Sequence, residues 1–469
     1  MSQYKGITLY SKWLSLLAAS TGIFLATLDI TVNVALPNIT NSFGTDVQTV
    51  QWIIIFYVGS TTGLQISLGS AADTYGIKRF FIIGLIVYTI AVLLISVAPH
   101  LSLVMGLRVL QAVGNGLLVA SAPALVTRAF PSNERGKALG LMSGIGLSGM
   151  LIGSLGGGVL VDAFGWRAIF AARVPIGLIS VFIALFSLKE SNIEGSKRFD
   201  FIGSIVLFIC VASFILCLAL GGINGWKSLP VLTLGTLSCL SLTIFIKMQK
   251  GSEHPIVQAS LLKDRTLTPA FTSAYLISFA TFINFFILPF FVSDILGRDA
   301  KTWGMLLMLT PLVGGLSAPL GGWMSDRMPA AYLITLGLIV MVTVSFSFTL
   351  LDTESTSKMI AVRMACMGVG TGIFQASHTN LVMSNVPSSR LATGGALLTM
   401  SRSIGVATSV AIMSAVLSAR ENFHSLSGIG EDTAFVMAFQ DVYLISGIIG
   451  SLSILVSILC WPRFRKVTD

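Results

Sequence analysis

Apolar runs recur along the whole chain with short polar breaks between them, and fourteen of them are long enough to cross a bilayer. A helix of about 20 residues spans a hydrocarbon core of roughly 30 Å. The runs lie at roughly 13–37, 48–70, 80–98, 101–127, 138–161, 167–188, 201–221, 229–247, 270–293, 303–324, 330–350, 359–384, 393–417 and 436–461. Each is expected to be helical, because lipid offers backbone groups no partners. The count turns on the seventh and eighth; without that pair it is twelve. No small-residue cleavage site follows the first run, which is therefore read as a retained span.

Composition agrees with the pattern. The 469 residues are 54% apolar and 10% charged, with a mean hydropathy of +0.87, whereas soluble domains carry roughly 25% charged residues. The net charge of +9 does not call for nucleic acid. With both termini placed in the cytoplasm, 19 of the 29 Lys and Arg fall on inner loops and tails and six on outer loops. Such an asymmetry sets topology. All five cysteines lie in apolar runs, so neither a disulfide nor a metal site is expected. No loop is long enough for a soluble catalytic domain, which excludes most enzymes, and no cofactor is expected.

The chain also repeats itself. Gly69 to Asp73 closes the second span as Gly322 to Asp326 and Arg327 close the tenth, an offset of 253. Arg108, Gly114 and Gly116 of the fourth span are echoed by Arg363, Gly368, Gly370 and Gly372 of the twelfth, offset by 255. Pro131 before the fifth span is echoed by Pro387 before the thirteenth, offset by 256. Matches at a near-constant offset and sidedness argue for two parallel six-helix halves with a midplane site, a known transporter architecture.

Asp29, in the first span, is the one acid placed well inside a helix. A carboxylate at that depth costs a few kcal/mol and marks a proton, ion or substrate path by default. Arg108, at similar depth, is its natural partner, so the pair is read as proton-coupling; a permanent structural ion pair is the alternative. Arg173 and Arg402 have no evident partner in the sequence. Candidate substrate contacts are Asn33, Trp52, Tyr57, Gln111, Phe279, Phe282, Asn284, Phe286, Gln375, His378 and Arg402. The phenylalanines belong to an aromatic run in the ninth span that suits hydrophobic or cationic ligands. Candidate gating residues are Gly69, Asp73, Gly76 and Lys78, Asp326 and Arg327, and Gly140, Gly149, Gly153, Gly157 and Gly158 of the fifth span. Small residues at such spacing let helices approach closely, and Asp73 can cap a neighbouring helix N-terminus.

These residues resemble the major facilitator superfamily, in particular its fourteen-helix drug/proton antiporter branch. Asp29, Thr31, Val32, Asn33, Ala35 and Pro37 are similar to that branch's first-helix signature. Gly69, Asp73, Gly76 and Lys78 resemble its loop 2–3 motif, with Thr74 where a base is usual; Arg108, Gln111, Gly114 and Gly116 resemble its helix 4 motif, with Ala112 for a glycine. Gly140, Gly149, Gly153, Gly157 and Gly158 fit the antiporter motif of helix 5, with Ser154 in place of its proline. Trp166, Arg167, Phe170, Val174, Pro175 and Gly177 resemble the start of helix 6, with Arg173 where asparagine is common.

The resemblance implies an all-α integral membrane protein with the major facilitator superfamily fold, two six-helix bundles plus two extra transmembrane helices. The blocks are then residues 1–188, an inserted helix pair at 189–250, a cytoplasmic linker at 251–267, and 268–469. It implies a bacterial cell-membrane exporter, working as a monomer by alternating access, whose partners are a small amphipathic substrate, protons and the lipid bilayer. The expected role is multidrug efflux and antibiotic resistance. The unpartnered arginines leave a second reading, export of an anionic or zwitterionic metabolite. A non-transporting sensor or scaffold is a third.

Overall fold

A computed structural model of the chain describes residues 9–188, 199–298, 300–426 and 430–461, and among these it contains helices and no strand. Among the described residues fourteen helices are long and apolar enough to cross a membrane. They are α1 Lys12–Asn33, α2 Thr49–Tyr75, α3 Ile77–Ser96, α4 Leu101–Ala129, α5 Arg135–Phe164, α6 Arg167–Ser187, α7 Phe201–Gly222, α8 Leu229–Gly251, α9 Leu267–Ile295, α10 Thr302–Ser325, α11 Ala330–Leu350, α12 Ser357–Asn385, α13 Ser388–Leu426 and α14 Glu431–Ile458. The protein is a multi-pass membrane protein, and the seventh and eighth runs are full-length helices.

Two helices are irregular. The helical path of α1 tightens into a 3-10 turn at Leu28–Ile30, and its continuation carries Pro37. α9 breaks after Thr281, continues as two short pieces around Pro289 and ends in a π-turn at Phe291–Ile295. Breaks at membrane depth survive where protein neighbours take up the freed polar groups. Ser446 of α14 does this for the Ala280 carbonyl of α9, and Tyr443 donates to Asn284 at 2.9 Å.

The chain forms two compact units. Unit 1 comprises the chain up to Pro131, Ile145–Gln258 and Val386–Ala407; unit 2 comprises Ser132–Gly144, Ala259–Asn385 and the chain from Thr408 on. The internal repeat reappears as packing. In unit 1 a Cβ on Gly114 of α4 would lie 2.6 Å from the Tyr88 nitrogen of α3, and one on Gly84 would lie 3.2 Å from the Gly114 carbonyl. In unit 2 a Cβ on Gly337 of α11 would lie 2.9 Å from the Gly370 carbonyl of α12. The same glycine pair thus lets corresponding helices touch backbone to backbone in both units. Around it, unit 2 fills its core with stacked rings, Phe291 on Phe439 at 4.4 Å and Phe348 on Tyr443 at 4.8 Å.

All five cysteines are free thiols. Burial pushes the Cys460 thiol, just beyond α14, up to about 11.

A side chain at Gly114 forces α3 and α4 apart. Gly114→Leu is expected to destabilise the protein by about 1–3 kcal/mol, the usual cost of overpacking. Its melting temperature in detergent should drop by several degrees. Gly106→Ala, where an added Cβ meets nothing within 4 Å, is the control and should melt like the parent.

Candidate functional site: a carboxylate between two arginines

Asp29 sits in the 3-10 turn of α1. There the tightened backbone turns its carboxylate into the interior of unit 1, leaving the side chain 7% exposed. Three helices supply four donors to it. Tyr57 of α2 donates its hydroxyl to Oδ2. On Oδ1 converge Gln111 Nε2 at 2.8 Å and Arg108 Nη1 at 3.3 Å, both from α4, and Arg173 Nη1 from α6.

Each donor is itself held. Arg108 also donates to Gln111 Oε1 at 2.7 Å, and its guanidinium lies 3.8 Å above the Tyr57 ring. Arg173 Nη2 donates to the Leu28 carbonyl at 2.9 Å and to the Thr31 hydroxyl. Tyr88 of α3 donates to the Leu25 carbonyl at 2.8 Å, fixing the same stretch of α1.

Arg173 therefore has a partner after all, and the expected pair of Asp29 with Arg108 is a triad. The signal lay in depth. Arg173 stands near the start of α6 and Asp29 near the end of α1, so a chain that alternates direction brings both to one level of the bundle. One carboxylate between two guanidiniums leaves a surplus positive charge. Removing the carboxylate from such a cluster strands two buried cations, and breaking one buried pair already costs about 3–5 kcal/mol.

The remaining candidates divide. Tyr57 and Gln111 belong to the site. Asn33 is exposed, and Trp52, half-buried, lies against Phe56 at 5.5 Å. In unit 2, Phe279 is buried in the core and Asn284 is occupied by Tyr443 and the Thr281 carbonyl. Phe282 pairs with Phe285 and Phe286 with Phe290 along α9. His378 is fully buried, stacks on Phe374 at 4.8 Å and donates to the Ala270 carbonyl at 2.9 Å. Gln375 is half-buried. None of these reaches Asp29 through a hydrogen bond.

The gating candidates form two matching caps. Asp73, at the end of α2, accepts the Ala392 and Thr393 amides at 3.0 and 2.8 Å and the Thr393 hydroxyl at 2.8 Å, all at the start of α13. A carboxylate there meets the free amides and the positive end of the helix dipole. Gly69, one turn earlier, admits α13 closely, since a Cβ would lie 2.7 Å from the Ala392 carbonyl. Gly76 links α2 to α3 with φ of 112°, a region that favours glycine. Lys78 is half-buried at the first turn of α3.

In unit 2, Asp326 after α10 accepts the Gly136 and Lys137 amides at the start of α5, at 2.6 and 2.8 Å. Burial raises its carboxyl above the usual range, and those two amides pull the other way. A Cβ on Gly140 would lie 2.7 Å from the Ala318 carbonyl of α10, and Arg327 stacks on Trp323 at 3.6 Å. Along the rest of α5, Gly149 and Gly157 pack on Thr27 and Thr31 of the α1 path, Gly153 is buried and Gly158 half-buried.

One cluster escaped the sequence. Asp441 of α14 accepts from Arg420 Nε at 2.7 Å and His424 Nε2 at 2.8 Å, both on α13. Asp29 is thus not the one acid well inside a helix. Hydropathy trimmed α13 and α14 short, which set Arg420 in a loop and Asp441 near a helix end. Only the full lengths, to Leu426 and from Glu431, show them facing each other.

A helical bundle with two related units and a polar cluster buried at membrane depth defines a membrane transporter. Residues 18–410 match the family model of the Major Facilitator Superfamily, and the chain belongs to that family. It is 26% identical over 464 residues to the riboflavin transporter RibZ of Clostridioides difficile, covering 98% of each chain. It is 26% identical over 408 residues to the multidrug resistance protein Stp of Mycobacterium tuberculosis, covering 87% of this chain and 76% of that one. The solved structure of the human organic anion transporter MFSD10 shares the fold, with a TM-score of 0.64 at 12% identity over 94% of this chain and 99% of that one. The protein is a transporter and not an enzyme.

The triad makes a double-mutant prediction. Asp29→Asn strands Arg108 and Arg173 and should lower the melting temperature markedly, by about 3 kcal/mol in stability. Adding Arg173→Gln should recover part of that loss, giving a coupling energy of about 1–3 kcal/mol. Strictly additive losses in thermal unfolding would show that the two side chains do not interact.

Proposed function

We propose that the protein is a proton-coupled antiporter that exports small amphipathic organic compounds across a bacterial cell membrane. Both termini face the cytoplasm and the chain acts as a monomer. The observation that carries this reading is the Asp29 carboxylate, held by donors from α2, α4 and α6. A proton on Asp29 removes the charge that Arg108 and Arg173 share. Protonation in this arrangement would leave two unpaired buried cations, so proton uptake and rearrangement of the arginines become one event. Linking a titration to a change in helix packing is what coupled alternating access needs.

The basic inner loops support the topology. The names of relatives, a multidrug resistance protein and a riboflavin transporter, support small organic substrates. One titrating carboxylate most simply moves one proton per cycle, which contributes about 1.4 kcal/mol per pH unit. Asp73 and Asp326 act as latches, each holding a helix N-terminus that must be released and recaptured in the cycle.

Proteoliposomes test the reading. With an acidic lumen, wild-type protein is expected to drive an amphipathic dye into the vesicles, and dissipating the gradient should stop it. Asp29→Asn should abolish gradient-driven uptake while leaving dye exchange in the absence of a gradient. An Asp29→Asn protein that still responds to the gradient rules out Asp29 as the coupling group.

A further inference from the structure

Arg402 of α13 belongs to the segment of that helix packed in unit 1. Its Nη2 atom is buried and has no hydrogen-bond partner among the described residues. The one carboxylate of the neighbouring cluster, Asp29, is already taken by Arg108 and Arg173. An arginine inside a membrane-spanning helix with no anion beside it is costly and marks a functional position by default.

Two further orphan atoms stand at the same depth. Gln65 of α2 and Asn115 of α4 are 2% and 6% exposed, and the carbonyl end of each side-chain amide is unpartnered. The helices fix the level. Gly69 of α2 packs on Ala392 and Ala396 of α13, and the two helices run antiparallel away from the Asp73 cap. Gln65 shares the Gly69 face one turn further along, about 6 Å by helical rise. Arg402 lies about 9 Å beyond Ala396, on a flanking face of α13, and a helical side chain leans back toward its own N-terminus, which sets its guanidinium at the level of Gln65. Asn115 neighbours Gly116, whose Cβ would lie 2.8 Å from Leu68 of α2, and shares a face with Gln111, which holds Asp29.

We infer that Arg402, Gln65 and Asn115 form a ligand site for an amphipathic organic acid, Arg402 taking its acidic group and the two amides taking N–H or O–H donors on its polar rim. The surplus charge around Asp29 adds to the preference for an anion and disfavours a cation. This deepens the exporter reading and rests on it for direction and coupling, but not for binding. Exchange of one proton inward for one monovalent anion outward moves two net charges. The membrane potential would then add to the pH gradient, at about 2.3 kcal/mol per charge per 100 mV.

Carboxyfluorescein, an aromatic acid with phenolic hydroxyls, and ethidium, an aromatic cation, are suitable probes. Fluorescence anisotropy on titration with purified wild-type protein should give tighter binding for carboxyfluorescein. Arg402→Gln should weaken that binding at least tenfold and Arg402→Lys less, while ethidium binding is not weakened. Since Arg402 carries an uncompensated charge, Arg402→Gln should melt no lower than the parent; a clear drop would mark a structural role. No carboxyfluorescein binding by the wild type, or an unchanged Kd in Arg402→Gln, overturns the site. Binding lost in Arg402→Gln, with no gradient-driven uptake by the wild type, would sustain the site and sink the antiport reading. In proteoliposomes, a valinomycin-set potassium potential, positive in the lumen and superimposed on an acidic lumen, should accelerate uptake of carboxyfluorescein, a multivalent anion; indifference to it excludes an electrogenic exchange.

Discussion

A carboxylate in hydrocarbon must be matched, and in this protein the matching is done by four other side chains from three helices. Asp29 accepts from Tyr57, Gln111, Arg108 and Arg173. Each bond is modest alone, but in a low-dielectric interior the unmatched alternative is severe. The cluster therefore ties α1 to α2, α4 and α6 far more firmly than apolar packing does, because lipid is as good a solvent for leucine as another helix is. The 3-10 turn at Leu28–Ile30 follows from the same need: it presents Asp29 and the Leu28 carbonyl together, and Arg173 binds both.

A second constraint is closeness of backbones. Gly84 with Gly114 and Gly337 with Gly370 occupy equivalent places in the repeat and do equivalent packing. The caps repeat too, Asp73 on the start of α13 and Asp326 on the start of α5. Glycine approach and carboxylate capping are complementary. The glycine lets one helix start beside another's end, and the carboxylate then satisfies amides that lipid would leave bare.

Much of this was legible in the sequence, and the rest was hidden for identifiable reasons. Span number, helical class, the repeat and Asp29 itself follow from hydropathy and from the cost of an isolated charge, both local properties. Arg173 was visible as a buried base but not as a partner, because pairing depends on depth and on which helices adjoin. Asp441 was missed because hydropathy averaging trims polar helix ends, the places where Arg420 and His424 reside. The aromatic run of α9 gave the opposite error. Its rings look alike in sequence, yet Phe279 is buried in a core while Phe290 is exposed, since the helix breaks and turns its faces between them.

Charge balance is the step that links architecture to ligand. Unit 1 buries one acid, Asp29, between two arginines, Arg108 and Arg173, and holds a third arginine, Arg402, with an unpartnered Nη2 on α13. Were the arginines only structural, a fold under pressure for stability would have supplied a second carboxylate or a neutral side chain at residue 402. An uncompensated guanidinium persists where it is compensated part of the time. In the site inferred at Arg402 a bound acid would supply that compensation and depart with it, making the site stable when loaded and strained when empty. A transporter needs that difference, because a ligand shifts a conformational equilibrium only by as much as it binds one state better than the other.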